Sequence, residues 1–275
     1  MENNLKANLY KYGVKLKKAY GQNFLSDENL LNEIVEKAGV TSSDTVLEIG
    51  CGAGALTSVL SRKAKKVVGY EIDQTLKPVL SDVLGDLNNV EIVFKDVMKE
   101  SLNELEKKLG DEYIMVANLP YYITTPIVMR FLENSKRIKA MVIMVQEEVA
   151  DRFSSSAGSS DFGAITVAIN LRGSAEKIIR VGREKFTPVP NVDSAVVKIN
   201  VDKNKNQGAN LSKVRDVVKV AFSSRRKMLV NNIMNFYKLS RIDAENALST
   251  AGIKLTARAE ELTAEDFISL SKALG

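Results

Sequence analysis

LEIGCGAGALT, residues 47–57, is the stretch whose reading decides the fold. Its first residues close the apolar run TVLEIG, which reads as a short buried strand, and ALTSVLSRKA, from Ala55 on, has the spacing of a helix. Between them stand Gly50, Gly52 and Gly54. Alternating glycines let a chain turn sharply from strand to helix and approach a ligand with no side chain in the way. Gly50, Gly52 and Ala55 also satisfy the loose dinucleotide pattern G-x-G-x-x-G/A, so a nicotinamide cofactor is one reading of the loop.

The same alternation continues on both sides. Upstream, DENLLNEIVEKAG places Leu30, Leu31, Ile34, Val35 and Ala38 on one helical face, with Asp27 to cap its start and Gly39 its end. Downstream, KVVGYEID, VEIVFKD, YIMVANLP and AMVIMVQ read as strands. QTLKPVLSDVLG, SLNELEKKLG and TPIVMRFLEN read as helices between them, with Pro126 tolerable in a first turn. AEKIIRVG and DSAVVKINV read as two last strands. The pattern predicts an α/β fold of the Rossmann-like kind, a mainly parallel sheet with helices on both faces. DKNKNQGANLS, residues 202–212, is polar and turn-rich, and beyond it only helical patterns remain. The expected division is a domain over residues 1–201, with a basic N-terminal segment, and a linker plus small all-helical domain over residues 202–275.

Composition narrows the chemistry. The chain has 275 residues, 45% hydrophobic and 27% charged, enough for one large domain and a smaller one. No apolar run approaches the roughly 20 residues of a membrane helix, and the start lacks a secretory signal, so the expectation is a cytoplasmic protein with no membrane partner. A single cysteine, Cys51, excludes an intrachain disulfide. The absence of histidine excludes His-dependent triads and, with one cysteine, a Cys/His zinc site; no metal is expected. The net charge is +5, from 39 Lys+Arg against 34 Asp+Glu, and two clusters stand out. Lys6, Lys11, Lys15, Lys17 and Lys18 face only Glu2 in the first twenty residues, and Arg225-Arg226-Lys227 lie near the C-terminus. Such patches can follow a phosphate backbone; a solvated helix face is the blander alternative.

The strand ends carry the polar residues. Glu71 ends the second strand, where a carboxylate can accept both ribose hydroxyls of NAD or of S-adenosylmethionine. Asp73, past the strand end, reads as a helix cap. Asp96 ends the third strand; alone it would be a loop cap, but in series with the glycines and Glu71 it can accept from an adenine amine. The fourth strand ends in Asn118-Leu119-Pro120-Tyr121. An adenine amine is a poor nucleophile because its lone pair is delocalised into the ring. The Asn118 side-chain oxygen and the Leu119 carbonyl can accept its two hydrogens and free the lone pair for attack on a sulfonium methyl. Pro120 stiffens the turn and Tyr121 can stack on the base. Such catalysis is positioning plus polar stabilisation and needs no histidine.

GQNFL (21–25), LEIGCGAGALT (47–57), EID (71–73), NLPYYITTPI (118–127), FTPVPNVDSAVV (186–197) and FSSRRKMLVNNI (222–233) together resemble the ribosomal small-subunit rRNA adenine dimethyltransferase family. The resemblance runs from residue 19 to about 235. It implies S-adenosyl-L-methionine as methyl donor. It further implies dimethylation of two adjacent adenines near the 3′ end of small-subunit (16S) rRNA, with the small ribosomal subunit as partner and the protein acting as a monomer. Matched by motif, Asn23, Leu25, Gly50, Gly52, Glu71, Asp96 and Asn118 would contact the cofactor, under a segment that includes Gln22 and Phe24. Asn118, Leu119, Pro120 and Tyr121 would form the catalytic set, with Phe186 holding the target base opposite Tyr121. Lys17, Lys18, Arg225, Arg226 and Lys227 would face RNA phosphates.

Two positions depart from the family pattern. Cys51 stands where a proline is usual, and only backbone shape is expected to matter there. Glu147 stands where a basic residue is usual, which puts an RNA contact at that position in doubt. The related resistance methyltransferases of large-subunit rRNA share GQNFL and the glycine loop but typically carry Ile where Leu119 stands and lack the VPNVDSAVV run. A non-catalytic RNA-binding assembly factor on the same fold is the alternative of a different class.

Overall fold

The computed structural model describes residues 7, 9–15, 17 and 21–275. The strands among the described residues are β1 (Phe24–Leu25), β2 (Thr45–Ile49), β3 (Lys66–Glu71), β4 (Val90–Phe94), β5 (Tyr113–Asn118), β6 (Ile138–Gln146), β7 (Gly173–Val181), β8 (Phe186–Thr187) and β9 (Ser194–Val201), all but the two-residue β1 and β8 at the predicted apolar runs. Seven of them form one sheet in the order β4-β3-β2-β5-β6-β9-β7. The pairs from β4 to β6 are parallel, and β9 returns antiparallel to β6. β2 therefore has β3 on one side and β5 on the other, the reversal of strand order outside which α/β sheets open a ligand crevice. β1 and β8 pair with each other in a separate antiparallel ribbon.

The helices form where the periodicity predicts them. α1 (Glu28–Ala38) starts at Asp27, whose side chain accepts from the Leu30 N–H, and ends at Gly39 in the left-handed region. α2 (Ala55–Ser61) starts directly from the glycine loop. Ile34 and Val35 of α1 and Val59 and Leu60 of α2 pack with Val46, Val67, Val116 and Val142 of the central strands, which are buried on both faces and accordingly read as unbroken apolar runs.

Two compact units result, Met1–Ala150 with Glu176–Val201, and Asp151–Ala175 with Asp202–Gly275. The break after residue 201 coincides with the boundary expected from sequence. Residues 151–175 do not follow that expectation: they belong with the C-terminal helices. The reason is apolar burial. Phe162, Val167 and Leu171 share a core with Val214, Leu229, Leu248 and Phe267. The Phe162 ring lies 6.4 Å from Phe222, which lies 6.1 Å from Phe267. No helix among the described residues is long and apolar enough to cross a membrane.

Candidate active site

The glycine loop is built as its residue types require. Gly50, Gly52 and Gly54 all have positive φ. A Cβ on Gly52 would come within 2.7 Å of the Phe24 ring, so the 21–25 segment closes on the loop only because that position is glycine. At the end of β3, Glu71 is buried, and its two carboxylate oxygens accept from the Gly52 N–H (2.9 Å) and the Asp73 N–H (2.8 Å). Each oxygen keeps a further lone pair for a ligand hydroxyl. Burial pushes the Glu71 pKa up, against those backbone donors.

Asp73 caps the short turn at Gln74–Leu76, as read from sequence, and is also a hub. It accepts from Lys17 Nζ (2.6 Å) and Gln22 Nε2 (3.0 Å), which ties the GQNFL segment to the end of β3. Burial works against its charge, but Lys17, Thr75 and Gln22 hold its pKa below the usual value. Asp96 caps the next turn through the Met98 N–H (2.9 Å) and lines the same cleft as Glu71.

At the end of β5, Asn118 Nδ2 donates to the Asn23 carbonyl (3.1 Å). With the amide nitrogen so engaged, Oδ1 is the atom the side chain can offer to a ligand donor. Asn23, Leu25, Leu119, Pro120 and Tyr121 line the cleft with it. The Tyr121 hydroxyl is paired with Ser194 Oγ (2.8 Å), and burial raises its pKa.

Other expected site residues are placed elsewhere. Phe186 is 2% exposed, opposite Leu25 in the β1–β8 ribbon and packed in the sheet core, and it is not among the cleft-lining residues. The β1–β8 pairing sets that ring against the sheet core. Lys17, expected on phosphate, pairs with Asp73. Lys18 lies outside the described residues. Arg225 donates to the carbonyls of Ser160 (2.6 Å) and Phe162 (2.9 Å), so its guanidinium holds a loop of its own unit. Arg226 and Lys227 are exposed. Glu147 meets Arg180 (3.2 Å) and Lys177 (3.9 Å), so its negative charge is offset by two cations on β7.

One residue at the site was not anticipated. Glu48 is 1% exposed and lines the cleft, and its Oε2 has no hydrogen-bond partner among the described residues. Burial pushes its pKa up to about 8, with the nearby Glu71 charge adding to the shift. The available signal was a carboxylate inside an apolar strand immediately before the glycines, a position where an unpaired charge is costly. The Cys51 thiol is buried, and a Cβ on Gly69 would stand 2.4 Å from its Sγ. Its side chain is accommodated by a glycine on the neighbouring strand, so more than backbone shape matters at that position.

This polar set fits S-adenosylmethionine. Glu71 and Asp96 supply acceptors at successive strand ends, the glycine loop admits backbone approach, and the orphaned Glu48 oxygen stands beside the loop. Together with the sheet order, the site defines a Rossmann-like S-adenosylmethionine-dependent methyltransferase. The chain belongs to the family described as ribosomal RNA adenine dimethylase, which it matches over residues 13–275. It is 42% identical over 276 residues to ribosomal RNA small subunit methyltransferase A of Geobacillus thermodenitrificans, covering 97% of this chain and 93% of that protein. It is 41% identical to the protein of the same name in Clostridioides difficile, covering 96% and 92%. Among solved structures, it is similar to a dimethyladenosine transferase from Plasmodium falciparum (TM-score 0.77, 26% identity, covering 90% of this chain and 95% of that one). It is also similar to the 23S rRNA methyltransferase ErmE (TM-score 0.72, 28% identity, covering 92% and 99%).

Proposed function

We propose that this enzyme transfers methyl groups from S-adenosyl-L-methionine to the exocyclic amines of two adjacent adenines near the 3′ end of 16S rRNA, two on each. It would act as a monomer, in the cytoplasm, on an unmodified or immature small subunit. The observation that carries the reading is the Asn118 amide, whose nitrogen is committed to the Asn23 carbonyl and whose oxygen is thereby left as the acceptor beside the cofactor cleft. The small-subunit names of the 41–42% relatives support the choice of RNA.

The chemistry follows from this chain's residues. Bound cofactor supplies an electrophilic methyl on a sulfonium. Glu71 accepts from ribose hydroxyls and Asp96 from the cofactor's adenine amine. Asn118 Oδ1 and the Leu119 carbonyl would accept the two hydrogens of the target amine, or the one that remains after a first methylation, draw its nitrogen toward tetrahedral geometry and orient the lone pair in line; the methyl–sulfur bond would break as the N–C bond forms, and one N–H proton would be lost to solvent. Tyr121, its hydroxyl held by Ser194, presents a ring for the base to stack on, an interaction of about 1–3 kcal/mol. The target amine lies on the Watson–Crick edge, so its adenine must leave any pair or stack to reach Asn118. Two or three contacts to one base read little of its neighbourhood, and selection falls to the shape of the folded ribonucleoprotein.

The test offers small subunits, large subunits and their naked RNAs in parallel with labelled cofactor and maps the product by primer extension. The expected outcome is dimethylation of adjacent adenines on the small subunit, falling steeply as salt rises. Methylation confined to large-subunit RNA would establish the second reading, which the similarity to ErmE keeps specific. Indiscriminate labelling of short oligonucleotides would refute selection by shape.

A further inference from the structure

Tyr121 and Tyr122 are consecutive, but their surroundings differ. Tyr121 is partly buried, with its hydroxyl tied to Ser194. Tyr122 also lines the cleft yet is 64% exposed. One edge of its ring lies beside Gly21. A Cβ on Gly21, a residue at φ 57°, would stand 3.6 Å and 3.7 Å from the Tyr122 Cε1 and Cδ1 atoms and 3.4 Å from the Pro120 Cβ. The ring thus rests against the segment that closes over the glycine loop, at a position where any larger residue would be strained, and much of its remaining surface is open.

A cleft-lining ring that has one edge beside Gly21 and is otherwise largely exposed can offer a face to a nucleobase, since every base has a π-face of its own. Turning one adenine out of its stack strips a stacking face from the nucleotide next to it. Consecutive Cα atoms are only about 3.8 Å apart, so a base gripped at Tyr121 brings the adjoining nucleotide into reach of Tyr122. Phe186, the other aromatic expected here, is 2% exposed and packs in the sheet core, whereas Tyr122 is open to the cleft.

We propose that Tyr122 stacks the nucleobase adjoining the adenine held at Asn118 and replaces the neighbour it loses when that adenine is turned out. Tyr122 is on this account a substrate-positioning residue that acts through the flanking nucleotide. The proposal rests on the RNA adenine being the acceptor and names the second base that the site grips.

The test uses the full-length enzyme and small subunits reconstituted with a synthetic 3′ RNA segment, either intact or abasic at the nucleotide 5′ or 3′ to the mapped target. Wild type, Tyr122→Phe and Tyr122→Ala are compared for KM and kcat of methyl transfer, with cofactor affinity measured by calorimetry. Tyr122→Ala is expected to raise the subunit KM roughly tenfold, the effect of losing one base–aromatic stack, and Tyr122→Phe to stay near wild type. Cofactor affinity should be unchanged in both. One of the two abasic segments should cost wild type the same factor and cost Tyr122→Ala nothing more. A wild-type KM in Tyr122→Ala, weakened cofactor binding, or abasic and alanine losses that simply multiply would overturn the proposal. If wild type methylates a different RNA, the substrate reading fails separately, and the same comparison on that RNA still decides the role of Tyr122.

Discussion

The polar row at the ends of β2 to β5 and the basic run Arg225–Lys227 were both legible as candidate sites, yet the structure treats them differently. In the α/β unit, Gly52, Glu71, Asp96 and Asn118 line one cleft, although they are far apart in sequence. In the helical unit, Arg225 is spent on the Ser160 and Phe162 carbonyls, leaving Arg226 and Lys227 as the cations of the run without that task. Lys17 is likewise occupied by Asp73. The lesson concerns what each kind of pattern encodes. A polar residue at the carboxyl end of a parallel strand has its location set by the sheet, and neighbouring strand ends share one edge. A run of basic residues sets only local charge, because long side chains can turn back to any nearby acceptor.

The comparison can be broken at its strongest point first. Asn118→Ala is expected to lower single-turnover methyl transfer by about 10²–10³-fold, the usual loss for a preorganised polar group that acts in the transition state. RNA binding should fall far less. Near-normal turnover in a folded variant would reduce the NLPY run to a turn and dissolve the strand-end row as a catalytic site.

A second, smaller effect tests whether the row extends to Glu48. Its pKa is raised from the ordinary 4.5 to about 8, so the folded protein holds a proton there that the unfolded chain has released. Wild-type stability without cofactor should therefore fall as pH rises through that window. Glu48→Gln carries no such dependence and should gain on wild type from pH 5 to 8, by on the order of a few kcal/mol at the upper end. Parallel melting curves for the two proteins across that range would mean that Glu48 does not hold the proton.

The smallest effect separates the basic residues from one another. Arg225→Ala is expected to lower thermal stability by about 1 kcal/mol through two carbonyls left without their donor. Arg226→Ala and Lys227→Ala should leave melting within about 0.5 kcal/mol of wild type. Each of those two should weaken subunit binding and reduce its salt dependence by about one counterion. If Arg225→Ala proves to be the binding variant and Arg226→Ala the unstable one, the division between spent and available cations fails.

What the sequence by itself determined is the α/β unit up to the end of β5 and the placement of its polar residues. The apolar runs were long enough and the glycines close enough together that local periodicity and turn chemistry sufficed. Asp27, Gly39 and Asp73 behave as their cap positions predicted, because capping is an interaction among residues a few positions apart. Only tertiary structure decided the rest. Residues 151–175 join the helical unit because Phe162 and Val167 find their apolar partners beyond residue 210, and periodicity does not name a partner. Phe186 is turned inward by a two-residue pairing with Leu25 across the length of the α/β unit, too short a strand to be read from pattern. The Asn118 amide is oriented by a carbonyl 95 residues earlier in the chain, and one edge of the Tyr122 ring lies beside Gly21. Residue type and strand position said which groups could act. Which atom each group has left to offer depended on hydrogen-bond and packing partners that only the folded chain brings together.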